Sequence, residues 1–365
     1  MALFYASNKG LIDLDEFNEE LTINGTTALD TAAPKPKSLL APADTPNIPS
    51  FSPVGIGKPL SVEILTVYTG DAPRKFFGGR PDLLVVSGIK SVQTYDAAPR
   101  AINQIQENIR DYQYLKPGAF SNGSSIVYYT PSLDASTVFI SFELVVDSLR
   151  RDTINSVANL FSTTAGLPIF VPAQSYLLAG SAIIELVGDL TDAFETGPYL
   201  QGNMDLRFLT SGIPVFSSGH YVVYNRDDRN EFSNHELQVV NDGFGNLTAS
   251  LIHKQSQEEY KGDAPYLVLN VDGKDRPDLE GFTPKLASAA ILEQFYGRNK
   301  GGQIVRTLER ALDLFNDFSY RQRAERLQEK MNTYAPNSEE FLLAQALLEA
   351  YQKNIRNELF KLDLD

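Results

Sequence analysis

The hydrophobic rhythm of this chain changes near Phe282. Before that point apolar and polar residues alternate, as in Glu236–Val240; after it apolar residues recur every three or four positions, as at Ile304, Leu308, Ala311, Phe315 and Phe318. A strand buries every second side chain, whereas a helix buries one stripe with a period of about 3.6, so the two parts need different partners. The pattern predicts an α+β chain: an antiparallel β-sandwich body with inserted helices over residues 60–281, then an α-helical hairpin within a helical region at 284–362.

Strand-favouring runs in the body are Ser61–Thr69, Asp82–Ser87, Ile126–Thr130, Thr137–Val146, Met204–Leu209, Tyr221–Tyr224, Leu237–Val240, Leu247–Ile252 and Tyr266–Val271. Asn241-Asp242-Gly243 marks a hairpin between two of them, because Asn and Gly tolerate the positive φ of a reversing turn. Tyr221–Tyr224 is expected to pair antiparallel with Glu236–Val240 across the polar loop 225–234. Two stretches read as inserted helices. One is 97–116, where Ile102, Ile105 and Ile109 share a helical face before Pro117-Gly118. The other is 152–194, capped by Asp152 and ending in an apolar run, Pro172–Phe194, that calls for burial on several sides or for contact with lipid.

Residues 1–31 form a short acidic segment whose Leu11, Leu14, Phe17 and Leu21 suit a brief docking helix. Seven prolines between Pro34 and Pro59 make 32–59 an expected linker, since proline cannot donate to a regular ladder. Beyond Thr283-Pro284 the spacing predicts helices at Lys285–Tyr296, at Gln303–Thr333 and after Pro336, with Asn337 and Glu340 as the capping pair of the last. That last helix aligns Phe341, Ala344, Leu348, Tyr351, Ile355 and Leu362.

Composition narrows the chemistry. Cysteine is absent, which excludes disulfides, thiolate metal sites and cysteine nucleophiles. A net charge of −14 opposes sequence-independent binding to nucleic acid, which needs a basic surface. The apolar stretch Leu167–Leu190 is broken by Gln174, Glu185 and Asp189, so no resident membrane span is expected. The N-terminal residues lack a basic start and a long apolar core, and a cytoplasmic location is the expectation.

Candidate sites are few. Asp272, Asp275 and Asp278 cluster hard oxygen ligands after a strand and are the candidate calcium site, although the spacing is not that of an EF-hand and Lys274 and Arg276 offset the charge. Gly297–Gly302 carries two cations before a helix but lacks the Lys-Ser/Thr close of a phosphate loop. A serine hydrolase would draw on Ser181, or on Ser217 and Ser218 beside His220; neither arrangement forms a nucleophile elbow.

Leu65-Thr66-Val67-Tyr68, the loop with Asp71, and Gly78-Gly79-Arg80-Pro81-Asp82 leading into Leu83–Val86 resemble the start of a C2-type β-sandwich, over roughly residues 61–87. The resemblance implies a sandwich. It also implies loop aspartates that hold calcium against phospholipid, which here fall on Asp71 and Asp82; their spacing is longer than the family's and the third-loop pair has no counterpart.

These readings converge on a non-catalytic protein-interaction module with no cofactor and another protein as partner. Its expected docking residues are Phe17 and Leu21 in the N-terminal segment and Phe341, Leu348, Tyr351 and Ile355 in the last helix. The alternatives are a membrane-active effector, released when the Pro-rich tether is cut and contacting membrane only then, and a serine-type hydrolase.

Overall fold

A computed structural model describes residues 3–7, 10–14, 37–38, 51–73, 79–90, 100–117, 123–147, 169–171, 199–208, 218–241, 247–279 and 302–362. Strands and helices are numbered along the chain. The central sheet runs in the order β2 (Gly10–Asp13), β1 (Leu3–Ser7), β12 (Gly219–Tyr224), β15 (Tyr266–Asp272), β4 (Leu60–Tyr68) and β7 (Tyr114–Leu115), with β8 (Ile126–Thr130) also paired to β4. A second sheet has the order β10 (Ile169–Val171), β6 (Arg100–Gln106), β5 (Asp82–Lys90), β9 (Thr137–Asp147) and β11 (Leu200–Arg207). The third holds β14 (Leu247–His253), β13 (His235–Asn241) and β3 (Lys37–Ser38), the last pair parallel.

The body is therefore layered, with the central sheet buried on both faces. One face packs Val62, Ile64, Val67, Tyr221, Val223, Leu267, Leu269 and Val271 against Leu83, Val85, Ile140, Phe142 and Leu144 of the second sheet. The opposite face packs Phe4, Val222, Tyr224, Tyr68, Tyr266 and Val268 against Leu237, Val239, Ala249 and Leu251 of the third. Burial on both faces explains why β4, β12 and β15 read as continuous apolar runs rather than alternating ones.

Each of the nine runs expected to be strands lies on a strand over most of its length, and β13 and β14 form the expected antiparallel hairpin, with Asn241 opposite Leu247. The expected pairing of Tyr221–Tyr224 with Glu236–Val240 is not made. β12 pairs with β1 and β15 instead, because Arg226–Phe232 coils into a 3-10 turn whose buried Phe232 carries the chain across to the third layer.

The helix expected at 97–116 is also corrected: this stretch contains strands β6 and β7. Ile102 faces Val86 and Ile105 faces Leu84, with the register shift leaving Asn103 as the extra residue. That bulge spaces two same-face isoleucines three apart, which imitates a helix in sequence. Asn103 is fully buried and held in place, its Oδ1 accepting from Ser87 Oγ (2.7 Å) and its Nδ2 donating to the Ile126 carbonyl (3.0 Å). Within 152–194 only Ile169–Val171 is described, and it is a strand on the edge of β6. The helices expected on either side of it, and the one at 285–296, lie outside the described residues.

The start of the N-terminal segment is built into the central sheet, and Leu14, directly after it, is helical. Leu3–Ser7 is buried throughout and pairs on one side with β12 and on the other with Gly10–Asp13, so Leu11 lies on a strand. Phe17 and Leu21 lie outside the described residues. The stretch read as a linker is anchored at two places: Lys37–Ser38 adds to β13, and residues 51–59 lie along the body with Val54 in the core and Ile56 bridged to Leu133.

The C-terminal hairpin consists of α1 (Gly302–Met331) and α2 (Glu339–Asn354). Ser338, not Asn337, caps α2: its Oγ accepts from the Phe341 amide (3.2 Å), while Asn337 takes a left-handed φ of 63°. Asp317 in α1 accepts from the Arg356 and Asn357 amides (3.1 and 3.0 Å), and the Tyr320 and Tyr351 rings lie 6.1 Å apart, so the helices run antiparallel. The hairpin is fastened to the body through Asn354 Nδ2 donating to the Ser132 carbonyl (2.9 Å) and Lys353 Nζ to the Gly57 carbonyl (3.4 Å).

Candidate functional site

Three in-register rows cross β12, β15 and β4 on the face turned to the third layer. The first is Tyr224–Tyr266–Tyr68, the second Val222–Val268–Thr66 and the third His220–Asn270–Glu63. A bulge at Leu65 keeps Glu63 on the same face as Thr66 despite the three-residue spacing. The third row is thus a polar band at one end of an otherwise apolar surface.

His220 is fully buried, and neither ring nitrogen has a hydrogen-bond partner among the described residues. Burial pushes its pKa down to about 4, so the imidazole is neutral near pH 7. Asn270 is buried beside it with Oδ1 likewise unpartnered. The ring of Phe51 covers His220 edge-to-face, at 4.9 Å between centroids and 76° between planes. The Phe51 segment is held down next to the row: the Ser52 amide donates to Asp272 Oδ1 (2.7 Å) and the Gly273 amide donates to the Ser52 carbonyl (3.0 Å). Glycine is required at 273, because a Cβ there would stand 2.3 Å from the Pro53 carbonyl oxygen.

At the far end of the row Glu63 pairs with Arg276, which also grips both oxygens of Asp278 (2.9 and 2.7 Å). Burial raises the pKa of the Glu63 carboxyl and Arg276 opposes the shift; hydrogen bonding to Asp278 keeps Arg276 firmly charged. Tyr129 completes the cluster, its hydroxyl donating to Asp275 Oδ1 (3.2 Å) and accepting from the Arg276 amide (3.3 Å).

Asp272, Asp275 and Asp278, the calcium candidates, are therefore directed at three different partners: Ser52, Tyr129 and Arg276. Among the described residues no three His, Asp or Glu side chains gather where one ion could be held. The aspartates indicated by the C2 resemblance serve separate turns. Asp82 is buried and its Oδ1 accepts from the amide of Asn108, a residue with φ of 51°; Asp71 meets its neighbours through its main chain, with Asp263 and Tyr199. His220 makes no serine–imidazole pair, since both nitrogens are unbonded; Ser181 and Ser217 lie outside the described residues.

The docking stripe expected on the last helix is turned inward. Leu348 is 6% exposed and Ile355 2%, both in the seam between α2 and its neighbours, and Phe341 and Tyr351 are half-buried. Exposed apolar side chains on the hairpin are different ones: Leu314 (47%), Phe318 (45%), Leu342 (53%) and Leu359 (81%). Leu314 and Phe318 stand one turn apart, and Arg321, three positions after Phe318 on α1, donates to the Leu359 carbonyl (3.1 Å), which holds the Leu359 backbone against the same helix.

Sequence reading passed over the polar row, although each strand carries its signal, a strongly polar residue inside an apolar run: Glu63 in β4, His220 in β12 and Asn270 in β15. Phe51 carried no signal beyond its place among prolines. No family model matches the chain, and no curated protein or solved structure matches it. Among the described residues no helix is long and apolar enough to cross a membrane.

Proposed function

We propose that the chain is a non-catalytic protein-interaction module that binds another protein through the outward side of its helical hairpin. The observation that carries this reading is where exposed bulk lies. Of the six large apolar side chains exposed among the described residues, Leu314, Phe318, Leu342 and Leu359 are on the hairpin. Solitary exposed apolar residues are ordinary, but two one turn apart on α1, with Leu359 held against the same helix, make a surface suited to a partner.

Charge supports the same face. Residues 302–362 carry nine Lys/Arg and nine Asp/Glu within a chain of net charge −14, so the hairpin is the neutral part of an acidic molecule and repels an acidic partner least. The sealing of His220 beneath Phe51 favours a binding role over imidazole-based catalysis.

The test is affinity capture with the full chain and with a Phe318→Asp/Leu359→Asp variant, each quantified against a common set of candidate proteins. Loss of two hot-spot contacts is expected to reduce capture by about tenfold or more, with the unfolding midpoint unchanged. Equal capture by both proteins would remove the hairpin from the account.

A further inference from the structure

We propose that the floor formed by His220, Asn270, Asp272 and Gly273 is a binding site for an extended peptide of the pattern aromatic-x-Pro, and that Phe51-Ser52-Pro53 occupies it in cis as a replaceable stand-in.

The geometry of the cis segment defines the recognition. Ser52 is held on both sides of its own main chain, its amide donating to Asp272 Oδ1 (2.7 Å) and its carbonyl accepting from the Gly273 amide (3.0 Å). These two bonds read an extended backbone irrespective of the side chain at the middle position, as when a strand is added to a sheet. Proline at the third position has a fixed φ and brings its carbonyl onto Gly273, where any side chain would collide. The aromatic residue at the first position covers the imidazole of His220.

Phenylalanine fills this socket incompletely. Beneath it lies His220 with Nδ1 and Nε2 unpartnered, and on the neighbouring strand its register partner Asn270 has Oδ1 unpartnered too. A neutral imidazole presents one donor and one acceptor, and the amide oxygen a second acceptor, none of which a hydrocarbon ring can meet. Buried polar groups are otherwise almost always bonded, so unmet atoms on a register pair of which one member lies under a half-buried ring point to an occupant with a polar edge. Tryptophan and tyrosine combine an apolar face with a donor, and they are the aromatic residues this socket fits. The partner is therefore a Trp- or Tyr-x-Pro segment of another protein. This site lies at the polar end of the central sheet and does not depend on the hairpin reading.

The chain contains no tryptophan, so a Trp-Ser-Pro-Val-Gly peptide reports its own burial by fluorescence without background. The full chain and its Phe51→Ala variant are titrated with this peptide. Saturable binding with a blue shift is expected for Phe51→Ala, with wild type about tenfold weaker because the tethered segment competes at high effective concentration. Unlabelled Tyr-Ser-Pro-Val-Gly should displace the probe, and Ala-Ser-Pro-Val-Gly should not. Absence of binding to folded Phe51→Ala, or displacement by the alanine peptide as readily as by the tyrosine one, overturns the proposal. Should Phe51→Ala fail to fold, amide exchange in the wild-type chain decides. The Ser52 amide, bonded to Asp272 only while the stand-in is seated, should exchange about a hundredfold faster than the ladder amides of β15, as expected of a locally opening segment; equal protection rejects a replaceable occupant.

Discussion

At one end of β4, β12 and β15 the face toward the third layer is a row of tyrosines; at the other end of the same strands it is His220, Asn270 and Glu63. In the tyrosine row the hydroxyls of Tyr68 and Tyr266 are bonded. Tyr68 donates to the Gly262 carbonyl (3.0 Å) and Tyr266 accepts from the Leu251 amide (3.0 Å). Around them Tyr114 donates to the Tyr260 carbonyl (2.8 Å), and Tyr260 binds Glu231 and accepts from the Ala264 amide (3.2 Å). The rings interlock as well, with Tyr68–Tyr266 at 5.0 Å, Tyr68–Tyr260 at 5.3 Å and Phe4–Tyr224 at 4.2 Å between centroids. The polar row has comparable burial without that satisfaction. A residue pair that gives up about 1–3 kcal/mol for each unmet group is retained for something other than stability, whereas the tyrosine row is the part that holds the layers together.

Mutations can break this contrast, and the largest effect is expected in the tyrosine row. Tyr266→Ala should cost about 4 kcal/mol in urea denaturation, since it removes a buried ring and leaves the Leu251 amide without its acceptor. A loss below about 1 kcal/mol would mean that the aromatic row is not the clamp described.

Acidification should act next, and at the other end. The native His220 pKa is pushed down to about 4 from 6.5, so its neutral form contributes fully above pH 6.5 and its contribution is lost as pH falls toward 4. Between pH 7 and pH 5 this amounts to on the order of 2 kcal/mol. Glu63 and Asp272, whose carboxyls are raised by burial, work in the opposite direction, so the quantity to read is the difference between wild type and His220→Leu across the two pH values. A difference that does not change with pH would show that His220 is not buried as a neutral ring.

At pH 7 the same His220→Leu substitution is expected to stabilise the chain by about 1 kcal/mol, because it removes two orphaned nitrogens from an apolar setting. Tyr68→Phe should move the midpoint by about 1 kcal/mol in the other direction, through loss of the bond to Gly262. Opposite signs for the two polar deletions are the sharpest form of the comparison.

Much of the layered body was legible in the sequence because burial imposes its period directly: β9 and β15 are unbroken β-favouring runs, and α1 keeps its spacing for eight turns. What was misread has local physical causes. The bulge at Asn103 turned a strand period into a helical one, and Phe232 diverted a chain whose polar loop suggested a hairpin. Leu11 lies on a strand where the spacing placed it in a helix with Leu14, because Leu3–Ser7 offers a fully buried strand to pair with. The candidate site was harder still to see. Glu63, His220 and Asn270 are separated by 157 and 50 positions, and only sheet register sets them side by side; the residue that covers His220 comes from a stretch whose prolines suggested no fixed place at all.

The most direct test of the account is a nitrogen-15 NMR titration of the imidazoles, simplified by there being three histidines in the chain. His220 is predicted to stay neutral until about pH 4 in wild type and to titrate closer to 6.5 once Phe51→Ala opens its cover. A wild-type His220 that titrates near 6.5, or one unmoved by loss of Phe51, would contradict the covered polar row from which the peptide site is inferred.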